Sequence, residues 1–349
     1  MIFASDNWAG ASERVAAALL EAAGGFVPAY GADPLTARVE RHFAEIFERE
    51  VSVFFVATGT AANSLALAQV ARPGGVVFCH AGAHILADEG GAPEFLAGCR
   101  LQAIEGAGGK ITPAALAEAI GRYPEEQVHH GRPMAVSISQ LTEAGTAYSP
   151  AEIAAIASVA HGAGLPLHMD GARFANALVG TDATPAELSW RAGVDMLSFG
   201  GTKNGCFAAE AVVFFEADRA AGFAFQRKRT GQLFSKSRFV AAQFAAYFEG
   251  GHWLDLARHA NAMARRLADG IAASGSARLA MAPGGNEVFA ILPADADARL
   301  KAGGAVYYEW PAEGFGGAQP GAGEVLVRLV ASFSTREDDV DRFVALLSQ

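Results

Sequence analysis

Seven short runs with strand character recur between residues 51 and 215, several of them apolar throughout, and segments with helical signals lie between many of them. Runs such as VSVFFVA at 51–57 and GVVFCH at 75–80 lack a polar residue at every second position. Strands of this kind are buried on both faces, as in parallel sheets covered by helices. The seven runs predict strands at 51–57, 75–80, 100–105, 134–141, 165–170, 195–200 and 209–215.

Capping signals mark helices between these runs. Ser149 precedes Pro150 and lies three residues before Glu152, which predicts a capped helix over SPAEIAAIASVAHGAG. The segment TPAELSWRAG at 184–193 repeats the pattern. Because strands alternate with capped helices, we expect an α/β domain with a mainly parallel sheet over residues 45–250.

The two flanks of this region have different patterns. An N-terminal helical segment is expected over residues 1–44, and its second helix continues slightly beyond that boundary. Residues 251–349 contain a long helical pattern, the strand-like runs EVFAILP and EVLVRLVASF, and a final helix, which predicts a smaller α+β domain. The second N-terminal helix is indicated by apolar residues at a spacing of four, namely Leu35, Val39, Phe43 and Phe47.

Composition excludes several classes of protein. A net charge of −10 argues against nucleic acid as a partner, and no apolar run approaches the length of a membrane span. The first residues show no secretory signal. Cys79, Cys99 and Cys206 are an odd number of cysteines without metal-binding spacing, so we expect thiols in a reducing cytoplasm and no metal site.

Polar residues follow several of the predicted strands. Ligands of open parallel sheets bind at the carboxyl ends of the strands. Asp170 and Arg173 come at the end of the fifth run, and Lys203 follows the sixth. The first run ends in ATGTAANSLALA, where Gly59 and Thr60 open a helix whose free N–H groups suit a phosphate.

One cofactor needs all of these groups together. Pyridoxal 5′-phosphate requires a lysine for its aldehyde, a carboxylate for its ring nitrogen and a phosphate site. A nicotinamide cofactor fits less well, because no G-x-G-x-x-G follows a strand. Taken singly, each group has an ordinary explanation: a helix cap for Thr-Gly-Thr, a solvated lysine, and a turn with an ion pair for Asp-Gly-Ala-Arg. Their order, each at a strand end, favours the cofactor.

The sequence resembles the threonine aldolases, in the β-eliminating lyase group of fold type I pyridoxal-phosphate enzymes. LHMDGARFANALV and DMLSFGGTKNG carry the resemblance, and SDN, YGADP, GAHILADEGGAPEF and VRLVASFST extend it over nearly the whole chain. The resemblance implies a two-domain fold and a homodimer or homotetramer with sites at the subunit boundaries. It implies the following cofactor contacts: Lys203 as the Schiff-base lysine, Asp170 at the ring nitrogen with Arg173 as its companion, Gly59 and Thr60 at the phosphate, and His84 stacked on the ring.

The resemblance also implies how the substrate is held. Ser5 and Arg328 match the groups that bind the substrate carboxylate, and Lys236 or Arg229 is the candidate for a basic residue that reaches the phosphate of the neighbouring subunit. Three of the assigned residues have structural alternatives. His84 could be an ordinary loop histidine. Ser5 could cap a turn, and Arg328 could pair with a nearby carboxylate, since a buried charge is costly when unpaired.

The reaction implied is retro-aldol cleavage of L-threonine or L-allo-threonine to glycine and an aldehyde. Many relatives have a second active-site histidine where this chain has Glu143, so His84 and Glu143 are both candidates for the base that takes the β-hydroxyl proton. Alternatives on the same scaffold are a phenylserine aldolase, a β-eliminating lyase and a racemase. A protein that binds the cofactor without turnover is an alternative of another class.

Overall fold

The computed structural model describes residues 1–313 and 315–349. Its larger sheet has the strand order β1-β7-β6-β5-β4-β2-β3. Strands β2 to β6 pair in parallel, and β7 runs antiparallel to both of its neighbours. The prediction of seven strands in a mainly parallel sheet is confirmed, with β1 Ser52–Val56, β2 Gly75–His80, β3 Arg100–Ile104, β4 Arg132–Ser139, β5 Leu167–Gly171, β6 Met196–Gly200 and β7 Glu210–Phe214.

Helices cover both faces of this sheet, so β2, β5, β6 and β7 are buried along their whole length. The predicted capping box is present, because Ser149 and Glu152 exchange hydrogen bonds at the start of α7. The helices of this part are α1 Glu13–Ala22, α2 Pro34–Phe47, α3 Gly59–Gln69, α4 His84–Ala87, α5 Ala92–Ala97, α6 Pro113–Gly121, α7 Pro150–Gly162, α8 Phe174–Thr181, α9 Phe223–Arg229 and α10 Arg238–Phe248.

The segment 184–193 differs from the prediction. Thr184 and Glu187 form the reciprocal hydrogen bonds of a capping box, at 2.9 and 3.2 Å. No regular α-helix follows, because Ser189 has φ −129° and ψ −106° and the chain continues as a 3₁₀ turn over Trp190–Ala192. The indole N–H of Trp190 donates to the carbonyl of Phe47 at 2.7 Å. This tertiary contact favours a turn where local propensity favours a helix.

The C-terminal part has its own antiparallel sheet, in the order β10-β11-β9-β8. Its apolar core also includes Phe3, and Ile2 forms a parallel bridge with Val306. The first residues therefore pack against the C-terminal sheet, although they precede the larger domain in sequence. The elements are α11 His252–Ala273, β8 Arg278–Leu279, β9 Glu287–Pro293, α12 Ala294–Ala302, β10 Tyr308–Glu309, β11 Glu324–Val330 and α13 Glu337–Leu347.

The two sheets have separate apolar cores. The larger core contains an aromatic group in which Phe43, Phe199, Phe244 and Phe248 pack with ring centroids 5.0 to 6.0 Å apart. We propose that the chain divides near residue 250 into two folding units.

Within residues 1–313 and 315–349, none of the helices combines the length and the apolar character needed to cross a membrane.

Candidate active site

A cavity of about 260 Å³ lies at the carboxyl ends of the central strands, near the lower limit of about 300 Å³ for small-molecule sites. The turns after β1, β5 and β6 all contribute to it, as expected for an open α/β sheet. Six of the predicted site residues line this cavity, namely Gly59, Thr60, His84, Glu143, Asp170 and Lys203.

One end of the cavity is the start of α3. Thr58 caps this helix by accepting the N–H of Ala61 at 3.1 Å. A Cβ built at Gly59 would meet no atom of the described residues within 4 Å, so the space beside this residue is open to a ligand. Free N–H groups and the positive end of the helix dipole make this end suitable for a phosphate.

The Asp170 carboxylate lies at the base of the cavity and is 5% exposed. Its Oδ1 accepts the N–H of Ala172 at 3.0 Å, and its Oδ2 accepts from the Asn63 amide at 2.8 Å. Asn63 lies on α3 and also donates to Glu89 at 2.8 Å. Two donors from different elements therefore fix the orientation of the Asp170 carboxylate.

Lys203 lies in a 3₁₀ turn that directly follows β6. Gly201 allows the close approach of this turn to β7, because a Cβ there would lie 2.8 Å from the carbonyl oxygen of Ala209. The Lys203 side chain lines the cavity together with Asp170 and Glu210. Burial raises the pKa of Glu210 to about 7, although the positive charge of Lys203 acts in the opposite direction.

His84 is the first residue of α4 and also lines the cavity. Its Nδ1 lies 2.9 Å from Oε1 of Glu89, whose side chain is fully buried. This hydrogen bond raises the pKa of His84 above its ordinary value, although partial burial acts in the opposite direction. Glu89 therefore fixes the imidazole ring and strengthens it as a base.

Arg173 does not line the cavity but forms a buried ion pair beside it. Its Nε and Nη2 donate to the two oxygens of Asp6 at 2.8 and 3.1 Å, and its Nη1 lies 3.4 Å from Glu287. Burial would raise the pKa of Asp6, but the charges of Arg173 and Lys203 hold it below the ordinary value. Burial raises the pKa of Glu287.

Arg328 lies on β11 and also stands outside the residues that line the cavity. Its Nη1 is 3.9 Å from Glu287, and its guanidinium stacks on Trp310 at 4.5 Å from the ring centroid. Its buried Nε has no hydrogen-bond partner within residues 1–313 and 315–349. The contact with Glu287 is therefore long, and donor capacity of the guanidinium remains for a ligand.

Ser5, Lys236 and Arg229 also lie outside the set of residues that line the cavity. The Ser5 hydroxyl accepts the N–H of Asn7 at 3.1 Å, which is the capping role considered as its alternative. Lys236 and Arg229 are exposed. They lie close in sequence to Gln232, whose side chain accepts the N–H of Ala57 at 3.0 Å beside the start of α3.

Glu143 connects this cavity with a second cavity of about 510 Å³, because it lines both. The outer cavity has an aromatic wall that includes Trp310 and Phe315. Both rings pack against Phe289 of β9, at centroid distances of 5.6 and 4.8 Å. Glu143 therefore stands between a polar inner site and a larger, more apolar outer space.

Sequence reasoning did not assign Asn63, Glu89, Glu210 and Glu287 to the site. All four are polar and are buried to at least 93%, and Glu210 and Glu287 each open an otherwise apolar strand. Buried polar residues of this kind require partners, which is the signal that could have indicated them. Asn63 and Glu287 contact Asp170 and Arg173, which are distant in sequence, so the signal does not identify these neighbours.

The residues present fit pyridoxal 5′-phosphate. An amine, an oriented carboxylate and an open helix start surround one cavity, and these are the donors and acceptors that an aldehyde, a pyridine nitrogen and a phosphate require. Glu89 and Asn63 each have a buried side-chain oxygen, Oε2 and Oδ1, without a partner among the described residues. These two oxygens at the cavity are therefore available to accept hydrogen bonds from a ligand.

Known proteins resemble the chain in both sequence and structure. Residues 3–292 match the beta-eliminating lyase family. A low specificity L-threonine aldolase of Pseudomonas aeruginosa is 44% identical over 313 residues, which are 89% of this chain and 90% of that protein. A second one, from Pseudomonas sp. (strain NCIMB 10558), is 40% identical over 98% of this chain and 96% of its own length.

The structural comparison agrees with the sequence matches. A threonine aldolase structure from Leishmania major superposes with a TM-score of 0.91 at 28% identity, covering 99% of this chain and 98% of that one. The sequence resemblance and the fold type I architecture are therefore confirmed over almost the full length. The protein belongs to the beta-eliminating lyase family.

Proposed function

We propose that the protein is a pyridoxal 5′-phosphate-dependent aldolase that cleaves L-threonine and L-allo-threonine to glycine and acetaldehyde. The observation that carries this proposal is one shared cavity, which Lys203, Asp170, His84 and the start of α3 at Gly59 all line. The two relatives named low specificity L-threonine aldolase, at 44% and 40% identity, support the same activity.

The bound cofactor supplies an aldehyde carbon for amines and an electron-accepting ring for the electrons of the broken Cα–Cβ bond. Lys203, which lines the cavity, would hold the cofactor through its side-chain amine, the group that an aldehyde requires. Asp170 keeps a proton on the ring nitrogen, and its two hydrogen bonds hold it in place for this role. Gly59 and Thr60 bind the phosphate through the helix start.

Arg328 and Ser5 bind the substrate carboxylate in this proposal. The long contact of Arg328 with Glu287 and its unpaired Nε support the assignment, because a guanidinium binds a carboxylate through two parallel hydrogen bonds. Such a grip would fix the orientation of the bonds at the substrate Cα within the site. Arg173 is proposed to lie near the ring hydroxyl or the Schiff-base nitrogen, while Asp170 is at the ring nitrogen. The ion pair with Asp6 holds Arg173 in position.

His84 is proposed to stack on the cofactor ring and to take the β-hydroxyl proton. The Glu89 contact supports this role, because it raises the pKa of His84 and orients the imidazole. Glu143 lines the same cavity, half-buried, and is proposed to orient the hydroxyl or a water. When the imidazole of His84 takes this proton, its hydrogen bond with Glu89 and the charge of Glu143 stabilise the positive charge.

The outer cavity favours a second group of substrates. The aromatic side chains of Trp310 and Phe315 form part of a space of about 510 Å³ beyond Glu143. A phenyl group on the β-carbon could enter this space and bury apolar surface there. We therefore include phenylserine-like amino acids among the proposed substrates.

A product assay separates these activities from the alternatives on the same scaffold. Retro-aldol cleavage of L-threonine gives glycine and acetaldehyde, β-elimination gives a keto acid and ammonia, and racemisation at Cα gives D-allo-threonine. L-allo-threonine and phenylserine are assayed in parallel. Keto acid or D-allo-threonine as the main product from L-threonine would contradict the proposal, and cofactor binding without turnover of any of these amino acids would favour a binding protein.

We further propose that the protein is a cytoplasmic homo-oligomer, a dimer or tetramer, with Lys236 or Arg229 reaching the phosphate of a neighbouring subunit. Exposed large apolar side chains support association, because Leu20, Phe26 and Phe225 are each at least 79% exposed. Light scattering of the purified protein measures the subunit number. A monomer that is fully active at assay concentration would contradict this proposal.

A further inference from the structure

Glu210 occupies a position between the two turns that build the proposed cofactor site. It is the first residue of β7, and its Cα pairs with Val56 at the end of β1 and with Gly200 at the end of β6. The end of β1 leads into the helix start at Gly59, and the end of β6 leads into the turn of Lys203. The Glu210 side chain lines the same cavity as both turns.

The surroundings of Glu210 favour the uncharged acid. The residue is 6% exposed, and its Oε1 accepts the N–H of Thr202 at 3.3 Å. Burial is the largest influence on its pKa and raises it to about 7. Asp170 acts in the same direction, whereas the Lys203 ammonium and the hydrogen bonds from Thr202 lower it. The other ionisable groups that interact with it, Cys206 and Tyr247, have pKa values well above their ordinary range.

A phosphate at the start of α3 would bring further negative charge into this cavity. Two anions that share a buried site cannot both remain ionised without a large cost, so one of them takes a proton. A carboxylic acid can donate its proton to a phosphate oxygen in a short, charge-assisted hydrogen bond. An ionised carboxylate in the same position would repel the phosphate.

We propose that Glu210 binds the phosphate group of the cofactor as a neutral carboxylic acid, so that the protein holds its cofactor less tightly as the pH rises. The inference rests on the proposed function, because it requires a phosphorylated cofactor in this cavity. It assigns Glu210 a binding role toward the phosphate, in addition to the backbone N–H groups of α3.

The pH dependence has a definite sign. Cofactor binding favours protonated Glu210, so the dissociation constant stays low below the pKa of the free protein and rises above it. With a pKa of about 7 in the free protein, the dissociation constant should increase about 15-fold between pH 7.0 and pH 8.5, at tenfold per unit once the acid is ionised. The phosphate itself is a dianion throughout this range, because its second pKa is about 6.

The experiment measures binding of pyridoxine 5′-phosphate, which lacks the aldehyde and cannot bond to Lys203. Its dissociation constant is determined at pH 7.0 and 8.5 by fluorescence titration of the cofactor-free protein. Pyridoxine without phosphate serves as the reference ligand. Titrations of groups that contact the ring change the dissociation constants of both ligands equally, so they cancel in the ratio of the two constants. The variants are Glu210→Gln, Glu210→Ala and, as a charge-matched control, Glu216→Gln, whose residue is exposed and pairs with Arg49.

The expected result is a ratio that changes about 15-fold with pH in the parent and in Glu216→Gln. Glu210→Gln should bind as tightly as the parent does at pH 7.0 and change less than twofold with pH, since an amide also donates to the phosphate. Glu210→Ala should bind more weakly at both pH values, without a slope.

Three results would overturn the inference. These are a parent protein without a slope, a slope that persists in Glu210→Gln, and a Glu210→Gln protein that binds more weakly than the parent at pH 8.5. The last result would mean that ionised Glu210 holds a cation instead. Failure of pyridoxal 5′-phosphate itself to bind at pH 7.0 would overturn the proposed function together with this inference, so the two failures are distinguishable.

Discussion

Arg173 and Asp6 form a buried ion pair, and removing Arg173 should lower the free energy of unfolding more than removing Asp6. Arg173 is 6% exposed and Asp6 is 2% exposed, and two hydrogen bonds join them. Removing one partner of such a pair typically costs about 3–5 kcal/mol, because the other charge is left buried. In Asp6→Asn the guanidinium still has Glu287 at 3.4 Å, so we expect a loss of about 3 kcal/mol.

Arg173→Gln should be the more damaging change, because it leaves both Asp6 and Glu287 buried without their main cation. We expect the free energy of unfolding to fall by about 5 kcal/mol at pH 8. The folded-state pKa values of both carboxyls should rise above their unfolded values in this variant. Their destabilising effect is then present at high pH and lessens as the pH falls and they take up protons. The deficit should therefore shrink between pH 8 and pH 5.

The assay is urea unfolding of cofactor-free protein at pH 8 and pH 5, followed by tryptophan fluorescence. Cofactor-free protein is used because unequal cofactor binding would otherwise alter the apparent stability. Arg336→Gln is the control, since that arginine pairs with Asp338 at the surface, and a surface pair contributes about 0–1 kcal/mol. A loss below 1 kcal/mol in both variants, or a larger loss in Asp6→Asn than in Arg173→Gln, would refute this reasoning.

Other predictions concern catalysis, and steady-state kinetics between pH 5.5 and 9 measure them. Asp170→Asn should lower kcat about 100- to 1,000-fold with little change in KM, as loss of one charge-stabilising group does; an unchanged kcat would make Asp170 structural. Arg328→Lys should raise the KM for L-threonine about tenfold or more, because an ammonium cannot form the paired hydrogen bonds; a normal KM would remove Arg328 from the carboxylate site. His84→Phe should retain cofactor but lose about 10²–10⁴ in rate and the acidic limb of the pH profile, while Glu143→Gln keeps that limb; the opposite pattern would exchange their roles. Glu89→Gln should move the acidic limb to lower pH, because the hydrogen bond that raises the pKa of His84 is lost. If the limb did not move, it would not report the protonation of His84.

Local patterns predicted most of the larger domain. All seven strands of the main sheet lie close to the predicted positions. Four of them, β2, β5, β6 and β7, are buried on both faces, and apolar runs of this kind have few alternatives in a chain of this length. The first of two capping patterns began a regular helix and the second did not. Their hydrogen bonds are alike, and the difference lies at Ser189 and in the distant contact of Trp190 with Phe47.

The candidate site was predictable where its residues follow strand ends and not where they pair across the fold. Asp170 and Lys203 meet because adjacent parallel strands carry them to one edge of the sheet. The pairing of Arg173 with Asp6 joins residues 167 positions apart, and no local pattern indicates it. Glu287 comes from the other sheet, so its position beside Arg173 depends on how the two sheets pack together.

The central claim is that Lys203 bonds to pyridoxal 5′-phosphate in this cavity, and borohydride reduction tests it most directly. The purified, cofactor-saturated protein is reduced, digested and mapped by mass spectrometry, with Lys203→Ala as the control. The chain has five lysines, so the four others, Lys110, Lys228, Lys236 and Lys301, are internal references. We predict a single label on Lys203 and no label in the variant. A label on one of the other four lysines in place of Lys203, or an unlabelled protein, would contradict the account.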